Sequence, residues 1–469
     1  MQGRLWAMAF LGALALFLGV GSAWPLDGAD AVGRAALQGL ALFAALVTFF
    51  VVLPTRLRLP GQIFAAMGGG VAAGWLATTL GMGAFISDYL GIFGTLFVLL
   101  LKVVIIPLIF VSVLCGVAGV GDVRKLGALG AKTIVYFMVT SGVAVLIGLV
   151  LVNVMQPGAG RSHLKDEVAQ EAAQEASDSL GQRIQQDMLP AVIQNPIMAG
   201  QSPIVVIFMA LLLGAALASL EARGAPAIEV FRSLDAAFTT IIHWVMLLAP
   251  IGVFALMARV IAELGVDYVV TLAKYCVTVL LGLSIHFTLL VVVIGRFGAG
   301  VTPMRFLRGM LPAFQLAFST SSSSATLPVS IHCVTKRVGA DPNIAGFVLP
   351  LGATINMDGT ALYVSVASLF VAQVYGIDLG LGAQFMVFLT SVLVSIGTAG
   401  IPGASIGLIT IILTSVGLPP EGIGIVIGVD RLLDMSRTVV NMSGDAMGAL
   451  LISRSEGRLG EPDPVAMAE

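Results

Sequence analysis

The hydrophobic positions of this chain form long uninterrupted stretches from near its start to about residue 300. Apolar segments run at about 5 to 23, 36 to 53, 60 to 79, 86 to 118, 130 to 155, 203 to 220, 236 to 262 and 268 to 295. An α-helix needs about 20 apolar residues to cross the hydrocarbon core of a bilayer. Each stretch therefore predicts a membrane-spanning helix.

From residue 303 onwards the apolar sequence is interrupted twice, in the same way each time. The run Thr-Ser-Ser-Ser-Ser-Ala-Thr-Leu-Pro at 320–328 precedes a helix with Asn-Met-Asp-Gly-Thr at 356–360. The run Gly-Thr-Ala-Gly-Ile-Pro-Gly-Ala-Ser at 397–405 precedes a helix with Asn-Met-Ser-Gly-Asp at 441–445. Non-helical backbone at membrane depth is tolerated only where protein or a watery cavity satisfies its polar groups. The pattern predicts two re-entrant helical hairpins around a transporter's binding site; the alternative is that small residues merely let helices pack closely.

These patterns divide the chain into four parts. Residues 1–57 predict an additional N-terminal transmembrane hairpin, although the first segment could also be a signal peptide. Residues 58–300 predict six core helices, with a polar extracytoplasmic insert at 157–200. Residues 301–455 predict hairpin 1, helix 7, hairpin 2 and helix 8, and residues 456–469 predict a largely disordered cytoplasmic tail.

Composition supports an all-α polytopic membrane protein. The 469 residues are 58% hydrophobic and only 11% charged, with a mean hydropathy of +1.01, whereas a soluble domain has about 25% charged residues. The formal net charge of −2 and the absence of basic runs exclude a nucleic-acid partner. Basic residues in alternate short loops, such as Arg124, Arg305 and Lys336, place both termini in the cytoplasm.

Cysteine and histidine give no sign of a metal centre. Cys115, Cys276 and Cys333 lie apart in apolar sequence, which is typical of small buried side chains. His163, His243, His286 and His332 are equally dispersed and lack metal-ligand spacing.

The last apolar segment carries a stripe of polar side chains. Asp434, Arg437, Asn441 and Asp445 recur at spacings of three and four residues, so they share one face of a helix. A charged residue at the bilayer centre costs about 2.5 to 3.5 kcal/mol on insertion scales, and such residues usually line a site and pair there. The stripe therefore predicts a polar cavity.

The chemistry of this stripe suits an acidic amino acid with a cation. Arg437 offers a bidentate fork for a carboxylate, and Asp434 can accept an ammonium group. The alternative is an Asp434–Arg437 ion pair that only neutralises itself. The carboxylates Asp358 and Asp445 are hard oxygen ligands, which favours an alkali cation, with sodium as the natural choice.

The interrupted segments and the last helix together resemble the dicarboxylate/amino acid:cation symporter family, which includes archaeal aspartate and animal glutamate transporters. The resemblance covers roughly residues 58–455 and rests on Ser-Ser-Ser-Ser-Ala-Thr-Leu-Pro, Asn-Met-Asp-Gly-Thr and Asp-Met-Ser-Arg-Thr-Val-Val-Asn-Met-Ser-Gly-Asp. It implies a glutamate-transporter-like fold with eight core transmembrane helices and two re-entrant hairpins. It also implies a homotrimer in which a transport domain slides against a fixed scaffold, and a non-enzymatic function.

The resemblance also implies particular site residues. The substrate pocket would comprise Ser322, Ser323, Thr360, Ile401, Ser405, Asp434, Arg437, Thr438 and Asn441. One sodium ion would use Gly352, Asn356, Asn441 and Asp445; a second would use Thr354, Ser395, Ile396 and Thr398; a third would use Thr140, Ser141, Asn356 and Asp358. Val364 stands where the animal carriers have a glutamate thought to carry a proton, so proton and potassium coupling are not expected.

We therefore expect a sodium-coupled symporter of aspartate or glutamate in the bacterial inner membrane, with Na⁺ as coupling ion and no cofactor. A C4-dicarboxylate carrier of the same fold would not need Asp434, and a neutral amino acid transporter would not need Arg437. An intramembrane serine protease would need a base near the serine run, where only His332 lies. A channel is harder to exclude, since a pore can share polar stripes with a carrier.

Overall fold

The structure is a computed structural model in which part of the chain can be described. The described residues are 57, 59–79, 83–119, 123–159, 203–265, 268–395, 400, 404–418 and 422–463. The additional hairpin predicted for 1–57, apart from Leu57, and nearly all of the insert predicted for 157–200 lie outside them.

The described chain is built from α-helices. In chain order they are α1 (Leu59–Thr79), α2 (Gly91–Gly119), α3 (Val123–Met155), α4 (Pro203–Ser219), α5 (Ala225–Met246), α6 (Ala249–Leu264), α7 (Tyr268–Leu289), α8 (Pro303–Thr320), α9 (Ser323–His332), α10 (Pro342–Ile355), α11 (Asp358–Tyr375), α12 (Leu381–Ser395), α13 (Ala404–Ser415) and α14 (Ile423–Ser455). Helix α7 continues as a π-helix, Leu290–Ala299, and α9 as a π-helix, Cys333–Val338.

Several described helices are long and apolar enough to cross a membrane. The spans are Gly83–Leu101, Ala128–Met155, Tyr268–Ala299 and Pro342–Tyr375, and the pair Ala225–Met246 with Ala249–Glu263 adds a fifth if its 56° bend falls within one span. These apolar helices make the chain a multi-pass membrane protein. The expected count of eight core helices stays a prediction.

Local sequence fixes where several helices begin. Thr302 precedes Pro303, and the Thr302 hydroxyl accepts a hydrogen bond from the Arg305 backbone N–H. Asp341 precedes Pro342 in the same way, and its carboxylate accepts from the first free N–H groups of α10. A capping side chain followed by proline satisfies and pre-shapes a helix N-terminus.

The described residues divide into two compact units, of which the first comprises those up to Leu101, with Ile242–Leu272 and Ile427–Arg431. Within this unit α1 packs against α6 at very short distance. A Cβ on Gly70 would lie 2.6 Å from the Phe254 carbonyl oxygen, and Gly74 approaches Ala258 equally closely. Such close backbone approach is the usual role of small residues between membrane helices.

The second unit comprises Lys102–Ile241, Ala273–Val426 and Leu432–Glu469. Its centre is α11, where nearly every side chain is buried, and which packs against α3, α12 and α13. Tyr275 of α7 stacks on Phe370 of α11 with ring centroids 4.5 Å apart. These neighbours bury even the polar side chains of α11, such as Ser365 and Ser368.

Both Asn-Met-x-Gly motifs were expected within helices, and for the first of them this expectation is wrong. Helix α10 ends at Ile355, and Asn356 and Met357 take non-helical conformations before α11 begins at Asp358. The second motif, in contrast, lies within the unbroken α14. At the break, the Asn356 side chain contacts Thr140 and Asp445, which belong to other helices.

The first serine run does break the helix. Helix α8 ends at Thr320, Ser321 adopts a left-handed conformation with φ of +52°, and α9 begins at Ser323. Helices α8 and α9 pack against each other, as do α12 and α13. The left-handed region is uncommon for residues other than glycine, and strain of this kind clusters at functional sites.

The expected disorder of the tail is wrong for residues 456–463. The Gly460 N–H donates to the Gly339 carbonyl at 2.8 Å, and the Asp463 N–H donates to the Lys336 carbonyl at 2.8 Å. Arg305 also donates to the Gly460 carbonyl at 2.8 Å. Backbone hydrogen bonds, which do not depend on side-chain composition, thus hold this polar segment against the end of the α9 segment.

Candidate substrate and cation site

One carboxylate in the second unit, that of Asp358, is surrounded by side-chain donors. It is completely buried. The Ser141 hydroxyl donates to Asp358 Oδ1 at 2.7 Å, and the Thr140 hydroxyl lies 3.3 Å from the same atom. The Thr140 hydroxyl also lies 3.2 Å from Oδ1, the side-chain amide oxygen of Asn356. The structure thus brings together Thr140, Ser141, Asn356 and Asp358, the four residues of one predicted cation site.

Asn356 also connects this group to a second carboxylate. Its amide nitrogen donates to Asp445 Oδ1 at 3.0 Å, and Asp445 is 3% exposed. A Cβ on Gly352 would collide with the same Asp445 oxygen. Gly352, Asn356 and Asp445 of another predicted cation site therefore lie in direct contact.

Glycine at position 444 permits this crowding. A Cβ there would lie 2.8 Å from Asn356 Nδ2 and 2.9 Å from Asp358 Oδ2. Any larger residue would displace one of these two groups, because real Cβ atoms do not approach heavy atoms so closely. The Asn-Met-Ser-Gly motif thus brings α14 close to the break between α10 and α11.

Asn441 of α14 caps the broken helix. Its side-chain amide oxygen, Oδ1, accepts hydrogen bonds from the backbone N–H groups of Gly359 at 2.8 Å and Thr360 at 3.3 Å. Its amide nitrogen lies 3.2 Å from the Thr360 hydroxyl. The first N–H groups of a helix have no partner within that helix, so Asn441 supplies one from another part of the chain.

His286 is the residue of this site that the sequence analysis missed. It is fully buried on α7, and its Nε2 lies 3.1 Å from Asp358 Oδ2. Its other ring nitrogen, Nδ1, is buried and has no hydrogen-bond partner among the described residues. The missed signal was a histidine within an apolar membrane span, which by default marks a functional position.

Arg437 forms a second polar centre on the same helix. Its guanidinium is completely buried, and Nη2 donates to Asp434 Oδ1 at 2.7 Å and to the Ser405 hydroxyl at 2.8 Å. Its central carbon lies 3.8 Å from the centre of the Tyr363 ring, a favourable cation–π distance. The Asp434–Arg437 ion pair considered as an alternative does form in this structure.

The two interrupted segments meet beside this centre. The Ser322 hydroxyl donates to the Gly400 carbonyl at 2.7 Å, and the Ser324 N–H donates to the same oxygen at 3.3 Å. The Ser321 hydroxyl is buried without a hydrogen-bond partner among the described residues. Where the two segments meet, the Gly400 carbonyl is hydrogen-bonded, and the Ser321 hydroxyl is available to a polar ligand.

The remaining predicted residues are placed as follows. Ser323 is buried at the start of α9, and the Thr438 hydroxyl donates to the Asp434 carbonyl at 2.8 Å. The hydroxyls of Thr354 and Ser395 each bond to their own helix, at Leu351 and Val392. Ile396, Thr398 and Ile401 lie outside the described residues. The structure thus brings together the four residues of one predicted cation site and three residues of another, whereas half of the third site lies outside the described residues.

The arrangement can hold cations and a charged ligand at neighbouring places. Buried carboxylate, amide and hydroxyl oxygens suit hard cations, and the backbone leaves the helix at Asn356, where its polar groups can face a ligand. A buried guanidinium can bind a carboxylate through two hydrogen bonds. Asn441 contacts both the helix carrying Asp358 and Thr360 of the predicted substrate pocket, so it joins the two places.

Comparison with known proteins places this geometry in context. A model of the sodium:dicarboxylate symporter family matches residues 59–455. A proton/glutamate-aspartate symporter of Escherichia coli is 39% identical over 375 residues, which cover 77% of this chain and 84% of that protein.

Two proteins of Bacillus subtilis are similar over a comparable length. A proton/sodium-glutamate symport protein is 34% identical over 409 residues, covering 86% of this chain and 94% of the relative. A C4-dicarboxylate transport protein is 31% identical over 386 residues, covering 80% and 90%. The names of these relatives differ in substrate and in coupling ion.

Proposed function

The chain belongs to the sodium:dicarboxylate symporter family, as its motifs predicted, and from this premise we propose that it carries aspartate or glutamate across the membrane together with sodium ions. Family and relatives are transporters of glutamate, aspartate, dicarboxylates and other amino acids. The proposal adds the substrate charge, the coupling ion and the residues that bind each.

The observation that carries sodium coupling is the packing around Asn356. The Asn356 side chain contacts the Thr140 hydroxyl, which also bonds Asp358. Its amide nitrogen donates to Asp445, so two buried carboxylates lie on either side of Asn356. Two negative charges this close and this buried repel each other and lack water. Cations bound at each would relieve both penalties. The Thr140 and Ser141 hydroxyls and the Asn356 oxygen would complete one site, and Gly352, Asn441 and Asp445 the other.

Substrate recognition follows from the charges around Arg437. The substrate side-chain carboxylate would take the guanidinium in a bidentate contact, and Asp434 would accept its ammonium group. Thr360, Thr438 and Asn441 would complete the pocket from two helices, with Ser322, Ser323, Ile401 and Ser405 contributed by the hairpin tips. Arg437 and Asp434 contact each other, so a zwitterionic substrate would bind by exchanging this ion pair for one contact to each residue.

Coupling between substrate and cation binding is explained if one residue contacts both sites. Asn441 caps the N-terminus of α11 beside Asp358 and also contacts Thr360. A cation that orders the break at Asn356 would thereby order the pocket, and the reverse holds by linkage. We extend the proposal to two re-entrant hairpins, an elevator movement of the transport domain, a homotrimer, and a bacterial inner membrane with both termini inside.

A second candidate is a C4-dicarboxylate symporter coupled to protons or sodium. The ion pair between Asp434 and Arg437 favours it, because an Asp434 carboxylate held by Arg437 competes with an ammonium group for the same oxygens. The relative named for C4-dicarboxylate transport points the same way. A neutral amino acid transporter is less favoured, since Arg437 would then have no substrate charge to meet.

Uptake into proteoliposomes separates these functions. Radiolabelled aspartate, glutamate, succinate and serine would be offered under an inward sodium gradient, an inward proton gradient, or neither. The proposal predicts accumulation of aspartate or glutamate with the sodium gradient alone. Accumulation of succinate but not of the amino acids would support the second candidate, and accumulation under a proton gradient without sodium would refute sodium coupling.

A further inference from the structure

A cavity of about 640 Å³ is lined by residues other than those of the proposed transport site. It lies where the π-helical end of α7 meets the end of α14. The lining residues are Arg296, Phe297, Ala299, Gly300, Arg454, Gly457 and Leu459. Nothing in the proposed transport of amino acids uses them.

The charge of this cavity is positive and locally uncompensated. Arg296 and Arg454 are both exposed, and no acidic side chain of the described residues forms an ion pair with either. The nearest acids along the tail are engaged elsewhere: Glu456 bonds Lys132 at 2.6 Å, and Glu461 lies 3.6 Å from Arg305. The hydrogen bond from Lys132 lowers the pKa of the Glu456 carboxyl, so this acid stays ionised in a pair that does not include the two arginines.

Two glycine turns shape the cavity. Gly300 has φ of +73° and Gly457 has φ of +68°, a left-handed conformation that favours glycine. A Cβ on Gly300 would collide with the guanidinium of Arg454. The Arg454 side chain therefore rests against a bare backbone surface, which fixes it at the cavity wall.

An apolar surface begins at the edge of the cavity. Phe297 is 73% exposed and Val293 is 52% exposed, and the two lie one turn apart on the π-helical segment. In a membrane protein such side chains face lipid, and an aromatic residue beside arginines is typical of the boundary between hydrocarbon and headgroups. The positive-inside rule assigns this boundary to the cytoplasmic leaflet, where anionic lipids attract basic residues.

We propose that this cavity binds the phosphate headgroup of an anionic phospholipid from the cytoplasmic leaflet. Arg296 and Arg454 donate to the phosphate oxygens, since guanidinium groups match phosphate geometry. The acyl chains lie along Phe297 and Val293. This site is separate from amino acid transport, so the proposal does not depend on the substrate assigned above.

The test compares lipid retention in variants of the full-length protein. Wild type, the double variant Arg296→Gln/Arg454→Gln and the control Arg308→Gln, which removes an exposed arginine of α8 outside the cavity, are placed in nanodiscs of phosphatidylcholine with a small fraction of phosphatidylglycerol. Retained lipid is counted by native mass spectrometry after detergent release. We expect phosphatidylglycerol to bind about thirtyfold more weakly to the double variant, equivalent to about 2 kcal/mol at roughly 1 kcal/mol per basic side chain. Arg308→Gln should bind like wild type.

Further arms separate the sources of phosphate. Phe297→Ser should weaken phosphatidylglycerol binding while leaving any binding of inorganic phosphate unchanged. If inorganic phosphate displaces the lipid and Phe297→Ser has no effect, the site binds free anions and the proposal is overturned. Equal retention of phosphatidylglycerol by wild type and a folded double variant, judged by size-exclusion chromatography, would also overturn it.

Discussion

Replacing Arg437 with cysteine tests the substrate site most sharply. The guanidinium is completely buried and bonds both Asp434 and Ser405. The proposed bidentate contact places two charge-assisted hydrogen bonds on the substrate carboxylate, each contributing about 1.5 to 3 kcal/mol. Losing both should weaken the binding of acidic substrates by about 3 to 6 kcal/mol, which is roughly a hundredfold to a few ten-thousandfold in affinity.

The assay measures sodium-driven uptake of aspartate, glutamate and serine at increasing concentration. Arg437→Cys should lose high-affinity uptake of both acids and gain uptake of small neutral amino acids, because a neutral side chain no longer meets a buried guanidinium. Arg437→Lys is the matched control: it keeps the charge without the bidentate fork, and its loss should be smaller.

The result must be separated from the effect on Asp434. Removing one partner of a buried pair destabilises a protein by about 3 to 5 kcal/mol, so Arg437→Cys could fail for that reason alone. The double variant Arg437→Cys/Asp434→Asn removes both charges. If Arg437 only neutralises Asp434, this variant should recover uptake of acidic substrates. Recovery, or an unchanged affinity for aspartate in Arg437→Cys, would refute the role assigned to Arg437.

Three further predictions concern the cation sites. Asp358→Asn should raise the sodium concentration for half-maximal uptake at least tenfold, while aspartate affinity at saturating sodium changes little; an unchanged sodium curve would contradict the site. His286→Ala removes a hydrogen-bond donor from the buried Asp358 carboxylate, a loss of about 1 to 3 kcal/mol. It should raise the sodium concentration for half-maximal uptake by about tenfold. The control His286→Gln keeps a donor and should lie closer to wild type. Gly444→Ala should abolish sodium-dependent substrate binding, because a Cβ would displace Asn356 or Asp358. Binding is measured by calorimetry on protein that still elutes as a folded species. Normal binding would show that the close approach at Gly444 is unimportant.

The helical spacing of the last segment was informative because it is a local property. Asp434, Arg437, Asn441 and Asp445 do share one helix, and Arg437 does lie beside Asp434 and Ser405. The motif resemblance likewise grouped Thr140 and Ser141 with Asp358, which the structure brings within hydrogen-bonding distance. No spacing rule could have produced that contact, since these residues are more than 200 positions apart.

Other features depended on contacts that a sequence does not display. The helix breaks at Asn356 but not at Asn441 of the matching motif, although both side chains bond to other helices. His286 has no motif of its own, and only the packing of α7 brings it to Asp358. The ordered tail depends on backbone hydrogen bonds to Gly339 and Lys336, which composition cannot reveal.

The central claim is that one protein moves sodium and an acidic amino acid together. The most direct test reverses the usual driving force. Proteoliposomes with equal sodium concentrations inside and outside are given radioactive sodium in the outer buffer and an inward gradient of aspartate. The account predicts that aspartate drives sodium uptake above its equilibrium level, and that Asp358→Asn weakens this uptake. Aspartate entry without any accompanying sodium, at full rate, would contradict the account.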